Sequence, residues 1–522
     1  MTNCKQLWTT ALLGVALAAS ACGQNSPTAS NGDNGSTEGT PTTNTSTGVP
    51  TAPPTSPVPK ETPGGTSTGT GHATDTGSVL PPALVPAGGT IAIAGGASAD
   101  SPAVPMPVAG PVVKTGGSVP GTAVTVGTAS AVATGSAVGT STTIKPPPAP
   151  GQLTAGTWDD NLNFDFFLKY FNTTVASQIV GLPLIDRTAR MVILVKTADG
   201  QPIAGAQVVV TDSAGGTSPT MMTGAEGRVL YFPGWLGVAA GTPVTVTAWA
   251  SGDDLASQTL VAAAGTVELT LAHTGRAPVA ALDLAFVVDT TGSMGDELSY
   301  LQSEVGNIVS GIATQFPNIN QRWGLVFYRD QGDQYVVRTF DFTDNLALFE
   351  QNLAAQSAGG GGDMPEAVDQ GLAAANTLSW RTVPGSPVAR VQFWIADAPH
   401  HAGHEGAVVS ALHDSVANGV HIYPVAGSGI DDLCEFTMRT AAEVTGGRYL
   451  FLTDDSGIGN SHAEPHIPCY YVTTLESAMR RMIATELSGD YQAPAASEII
   501  RTGGDPQSQL CTLSDGGTVT AW

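Results

Sequence analysis

Asp289-Thr290-Thr291-Gly292-Ser293 places a carboxylate and two hydroxyls at alternate positions of one short segment, with a glycine that lets the backbone turn tightly. Three oxygens converging in this way suit a hard divalent cation such as Mg2+, Mn2+ or Ca2+. Two further segments carry matching chemistry. Gly359-Gly360-Gly361-Gly362-Asp363-Met364-Pro365-Glu366 sets two carboxylates behind glycines that permit close approach, at the start of a helix-like run. Phe393-Trp394-Ile395-Ala396-Asp397 closes an apolar run with an acid. Three acidic segments brought to one crevice repel each other unless a cation neutralises them. His400, His401, His404 and Glu405 follow Asp397 closely but lack the spacing of a zinc-binding helix. They read as hydrogen-bonding groups at the rim, with ligand recognition as the alternative. The segment 453–466 is rich in oxygen and imidazole donors and reads as a hydrogen-bonded loop, the alternative being a second cation site.

Regular elements must hold these segments together. Leu282-Asp283-Leu284-Ala285-Phe286-Val287-Val288 is a mostly apolar run ending in Asp289, the pattern of a strand buried on both faces. Leu298, Leu301, Val305, Ile308 and Ile312 then recur at helical steps within 296–316. Strand-like runs return at 323–328, 335–340, 391–396, 420–425 and 448–452, and helix-like runs at 365–374, 407–418, 433–444 and 474–487. Repeated βα units predict an α/β, doubly wound, Rossmann-like parallel sheet whose ligands sit beyond the carboxyl ends of its strands. The three acidic segments fall at those ends or in the loops beside them.

Placed there, Asp289-x-Thr291-x-Ser293 resembles the metal-ion-dependent adhesion site of von Willebrand factor A domains. The resemblance covers 281–489, the length expected of such a domain. Gly359–Glu366 and Asp397-Ala398-Pro399-His400 resemble its bacterial and hemicentin-like branch. It implies Asp289, Thr291 and Ser293 as ligands from the first loop and Asp397 as the acid of the third. The second loop departs from the pattern, because many members place a threonine there and this chain has none. Asp363 or Glu366 must replace it, and Asp363-Met364-Pro365-Glu366 has the order of the integrin-β version of this loop. The alternative is a domain that keeps the fold and has lost the ion.

The preceding segments read as display and spacing. Residues 1–22 combine Lys5, an apolar run at 12–19 and Ala19-Ser20-Ala21-Cys22, which resembles a bacterial lipobox. That implies a lipoprotein signal peptide and lipidation of Cys22, with ordinary secretory cleavage as the alternative. Residues 23–151 are dominated by Ser, Thr, Gly, Pro, Ala and Val and read as a disordered stalk. An aromatic lead-in at 152–188, with Phe164, Phe166, Phe167, Tyr170 and Phe171, reads as a short helix or hook packing on the next module. Residues 189–273 alternate in short β-branched runs split by turns, the pattern of a small all-β sandwich. Thr197–Val208 and Thr223–Val229 resemble the turns of carboxypeptidase-regulatory-like or Ig-like bacterial modules, implying a structural spacer. Residues 490–522 read as a tail. Export is oxidising, and Cys434 and Cys469 lie in one module, so they are the expected disulfide, leaving Cys511 odd.

Composition narrows the function. Among 522 residues, 20 are basic and 44 acidic, a formal charge of -24, which disfavours nucleic acid or an anionic membrane surface as partner. No nucleophile–base pair or zinc motif supports a secreted hydrolase. The expectation is a non-enzymatic lipoprotein of the outer membrane or cell surface, or a secreted form of it. Its cation, Mg2+, Mn2+ or Ca2+, would bind a carboxylate of a protein ligand. The alternative is a metal-independent structural component of the envelope.

Overall fold

The computed structural model describes residues 148–175, 178–251, 254–382 and 386–522. The signal peptide, Cys22 and nearly all of the expected stalk lie outside the described residues. Among those described, no helix is long and apolar enough to cross a membrane.

Order begins with strand β1 (Thr154–Trp158), buried along its whole length, and helix α1 (Phe164–Tyr170). Seven short strands follow: β2 (Met191–Lys196), β3 (Gln207–Asp212), β4 (Met221–Met222), β5 (Arg228–Tyr231), β6 (Pro243–Trp249), β7 (Leu255–Val261) and β8 (Gly265–Thr270). They form two sheets, ordered β5-β2-β8 and β4-β3-β6-β7. Burial alternates along β2, β3 and β6, as a strand with one face on a core requires, and Ile193, Val208, Val246 and Leu269 share that core.

The chain then enters strand–helix alternation. Strands β9 (Ala281–Asp289), β10 (Asn320–Tyr328), β11 (Val337–Thr343), β12 (Val388–Ala396), β13 (His421–Ala426), β14 (Tyr449–Leu452) and β15 (Tyr470–Thr474) come from this half. So do helices α2 (Leu298–Gln315), α3 (Leu346–Ala354), α4 (Val368–Asn376), α5 (Glu405–Ala417), α6 (Asp432–Thr445) and α7 (Leu475–Ser488). Strand β16 (Arg501–Gly503) and the hairpin of β17 (Leu510–Thr512) with β18 (Thr518–Thr520) complete the chain. Among the described residues the main sheet runs β11-β10-β9-β12-β13-β14-β1-β15-β16. Its middle, β10 to β14, is parallel, while β11, β1, β15 and β16 pair antiparallel.

All nine residues of β9 are buried because helices cover both faces of the sheet. Leu282, Leu284, Phe286 and Val288 enter the core beneath α2, α3 and α7, while Ala285 and Val287 face α4, α5 and α6. The core of the two smaller sheets is continuous with this second face, and Trp235 meets His413 of α5 edge-on at 5.9 Å.

Three expectations are corrected. The lead-in does not belong to the β module. Strand β1 inserts between β14 and β15, and the Glu304 carboxylate of α2 accepts the backbone N–H groups of Gly151, Gln152 and Leu153 at 2.9–3.0 Å. Phe167 and Phe171 stack on Phe436 of α6, and Arg439 of α6 reaches Asp160 at 2.7 Å and Glu435 at 3.0 Å. Residues 490–522 fold back instead of trailing: β16 extends the main sheet, and the Asn163 side chain bonds both backbone groups of Thr520. The disulfide joins Cys469 to Cys511, whose Cα atoms stand 6.2 Å apart, and Cys434 is a buried free thiol. Cys434 faces the core beneath α6, whereas Cys469 enters β15 beside the returning C-terminal segment.

Two outcomes follow from this packing. Alkylation of the denatured, unreduced protein should label Cys434 and spare Cys469 and Cys511, read by peptide mass mapping. Arg439→Leu should strand Asp160 and Glu435 in a dry site and lower unfolding free energy by about 3–5 kcal/mol in a denaturant titration.

Candidate metal centre

The parallel registers decide where the three acidic loops meet. Asp289 ends β9, opposite Tyr328 at the end of β10, and Asp397 follows the last residue of β12 on the other flank. Backbone hydrogen bonds then tie the loops together. Gly359 N–H donates to the Thr290 carbonyl and Gly292 N–H to the Gly360 carbonyl, both at 3.1 Å. Glu366 N–H donates to the Pro399 carbonyl at 2.9 Å, which joins the second loop to the third. The loops are therefore positioned by the protein itself.

The side chains form a connected row. Asp289 Oδ1 accepts the Thr291 backbone N–H at 2.9 Å and its hydroxyl at 2.7 Å. Thr291 Oγ1 lies 3.2 Å from Ser293 Oγ, and Ser293 Oγ donates to Asp397 Oδ1 at 3.1 Å. Glu366 completes the group from the second loop. A side chain added at Gly361, where φ is 66°, would stand 2.9 Å from Glu366 Oε1 and 3.4 Å from Thr291 Cβ, so only glycine fits between them. Asp289 Oδ2 and Glu366 Oε2 are buried without a hydrogen-bond partner among the described residues.

The electrostatics record the crowding. Burial pushes Asp289 up to about 6, offset in part by the Thr291 N–H and hydroxyl and by the nearby Tyr328 hydroxyl, though no hydrogen-bonding geometry reaches Oδ2. Burial and then Asp289 push Asp397 up to about 7 against the opposing Ser293 hydroxyl. Glu366 rises to about 9, from burial first and then from Asp289, Asp330, Asp333 and Asp397. Desolvation and like-charge repulsion act here in the same direction.

Among the expected ligands, Asp289, Thr291, Ser293, Glu366 and Asp397 come together, while Asp363 is exposed. Among the described residues, no three His, Cys, Asp or Glu side chains assemble at ligand spacing on their own. The Thr291 and Ser293 hydroxyls belong to the donor set, and an all-oxygen set with two unpartnered carboxylate oxygens is of the kind hard cations take. The expected rim histidines differ in setting. His400 is buried, with Nε2 3.0 Å from the Gly181 carbonyl, whereas His401 pairs with Asp330 at 2.5 Å and His404 with Asp369 at 3.1 Å.

Three acids escaped the sequence reading. Asp330 follows β10, and Asp333 accepts the N–H groups of Asp330 at 3.1 Å and Gly361 at 2.9 Å. Glu297, fully buried before α2, accepts Ser428 N–H at 3.1 Å and meets His462 Nε2 at 2.8 Å. The position of Asp330 at a strand's carboxyl end was the available signal. Glu297 had none, because its partners come from loops more than a hundred residues away. His462 Nδ1 also meets Asp454 Oδ1 at 2.9 Å, so the segment 453–466 is a hydrogen-bonded loop clamped onto the start of α2.

A pH dependence follows from these shifts. Asp289, Glu366 and Asp397 hold protons more tightly when folded than when unfolded. The folded chain therefore takes up protons as pH falls, and falling pH stabilises it. In chelator, thermal stability should rise from pH 9 to pH 6, by an amount on the order of a few kcal/mol. Glu366→Gln should flatten the upper part of that rise, read by melts across the pH series.

Known proteins resemble this region. A von Willebrand factor A domain model matches residues 283–422. A putative ariadne-like RING finger protein of Acanthamoeba polyphaga mimivirus is 31% identical over 194 residues, 33% of this chain and 18% of that protein. An alpha-protein kinase of Dictyostelium discoideum is 28% identical over 142 residues, 27% of this chain and 22% of its own length. The chain thus spans about a fifth of the length of these curated relatives. The crystal structure of an aerotolerance-related membrane protein from Bacteroides fragilis covers 40% of this chain and 100% of its own, at 15% identity and a TM-score of 0.27. The family match falls on the α/β sheet from β9 to β13, and residues 283–422 are a von Willebrand factor A domain.

Proposed function

We propose that this chain is an exported, envelope-anchored binding protein whose von Willebrand factor A domain recognises a carboxylate on a protein ligand through a divalent cation. Asp289, Thr291, Ser293, Glu366 and Asp397 would hold the cation, Mg2+ or Mn2+ with Ca2+ as the alternative. The observation carrying this reading is the pair of buried, unpartnered oxygens, Asp289 Oδ2 and Glu366 Oε2, beside two hydroxyls. Von Willebrand factor A domains serve interaction and adhesion, and the family match supports a role of that general kind. Anchoring rests on the Ala19-Ser20-Ala21-Cys22 pattern alone.

A bound cation supplies the positive charge that offsets the acids and a coordination position open to an outside carboxylate. The protein's own groups do the positioning. Asp289 Oδ1 holds Thr291 by accepting both its backbone N–H and its hydroxyl, and Asp397 orients Ser293. His401, held by Asp330, and His404, held by Asp369, stand at the rim as polar contacts for a ligand. A chain of formal charge -24 would otherwise repel an acidic partner.

Melts of the full chain with Mg2+, Mn2+ or Ca2+ added after chelation test this reading. At saturating ion the wild type should gain about 5 °C or more, and Asp289→Ala should gain nothing. A wild type that responds to none of the three ions overturns it in favour of a metal-independent envelope component.

A further inference from the structure

The opposite end of the main sheet holds a buried arginine that, among the described residues, no carboxylate hydrogen-bonds. Asp283, near the start of β9, lies in register between Arg322 of β10 and Arg390 of β12. Its oxygens are taken by Arg322, through Nε at 3.0 Å and Nη2 at 2.8 Å, and by Arg381, through Nε at 2.8 Å and its backbone N–H at 2.7 Å. Arg390 is only 4% exposed, yet its Nε and Nη2 donate to the Arg381 carbonyl at 2.8 and 2.6 Å, and its Nη1 meets only the Met222 thioether at 3.1 Å. Neither a carbonyl nor a thioether carries a countercharge. Asp341 lies on the Arg322 side, bonded to Ser379. Three guanidiniums therefore stand beside two carboxylates, and burial lowers the Arg390 pKa, offset in part by the charge of Asp283, whose hydrogen bonds go to the other two arginines. Arginines are almost never fully buried unless paired.

Arg390 lines a cavity of about 320 Å³ between this end of the sheet and the β module. Met222, Val279, Pro387 and Val388 supply an apolar wall. His421 and Glu486 supply a polar one and are already engaged with each other at 2.7 Å, with the Tyr423 hydroxyl donating to the same Glu486 oxygen at 2.5 Å. Both bonds fall on one Glu486 oxygen, and among the described residues no hydrogen bond joins Glu486 to Arg390. An apolar cavity at a domain junction with one surplus positive group has the make-up of a small-ligand site.

We propose that this cavity binds a small organic carboxylate, its acid group on Arg390 Nη1 and its apolar body against Met222, Val279 and Val388. The site shares no residue with the proposed cation centre, so either can fail without the other.

The test titrates the full chain at fixed ionic strength with hexanoate, with hexanol as the neutral counterpart and with inorganic phosphate as the compact anion. Heat of binding and thermal shift are the readouts. Hexanoate should bind one per chain and raise the melting temperature, with hexanol and phosphate each at least about tenfold weaker. Arg390→Met should weaken hexanoate at least about tenfold. Ala417→Leu, which fills the cavity from α5 without changing charge, should weaken it as well and decides the matter if Arg390→Met does not fold. No hexanoate binding, equal binding of hexanol, phosphate binding in its place, or hexanoate binding unchanged in the folded variants overturns the proposal.

Discussion

Keeping several carboxylates close together where water is scarce is the constraint on which the rest of this structure depends. Asp289 is fully buried at the end of a strand that is itself buried throughout, near enough to Asp397 and Glu366 to raise the proton affinity of both. Such a group stays assembled only if something stronger than its repulsion holds the loops. Here that is the backbone lattice from Thr290 to Gly359, Gly292 to Gly360 and Glu366 to Pro399, anchored on a parallel sheet covered on both faces. The glycines of the second loop serve the same end, since a side chain at Gly361 would displace Glu366 or Thr291.

The same sheet also organises the chain at larger scale. Strand β1 comes from before the β module and yet sits inside the main sheet, so the module is an excursion between two pieces of one sheet. Buried ion pairs complete this arrangement: Arg439 with Asp160, Arg448 with Asp159, and Arg187 with Glu443 all join the lead-in and its continuation to α6 or the start of β14. Each is costly to break because the remaining charge would be stranded in a dry site. The Cys469–Cys511 bridge fastens the C-terminal segment to the same end of the sheet.

Much of the candidate site was legible because its signal is local. Asp289, Thr291 and Ser293 lie within five residues after an apolar run, and strand periodicity alone puts them at a carboxyl end. Asp397 was legible for the same reason. The choice between Asp363 and Glu366 was not, since it depends on which way the chain leaves a glycine turn, and that is set by the bond from Glu366 to Pro399. Glu297 was missed because its partners lie in distant loops, whereas Asp330 carried a local signal in its place at a strand's carboxyl end. The lead-in aromatics were read as a hook on the β module, yet Phe167 and Phe171 stack on Phe436 of α6, because spacing shows that a face is apolar without showing what covers it.

The pattern of residues along the chain was sufficient for the strand–helix alternation, the short β-branched module and the acidic loops with their oxygen chemistry. Periodicity and local spacing are properties of neighbouring residues. Only the tertiary structure decided that residues 154–158 complete a sheet assembled more than a hundred residues later, that Cys469 takes Cys511 in place of Cys434, and that Arg390 donates to a carbonyl and a thioether beside a cavity. Those outcomes turn on which distant surfaces meet and on how buried charges divide their partners, which no stretch of contiguous residues encodes.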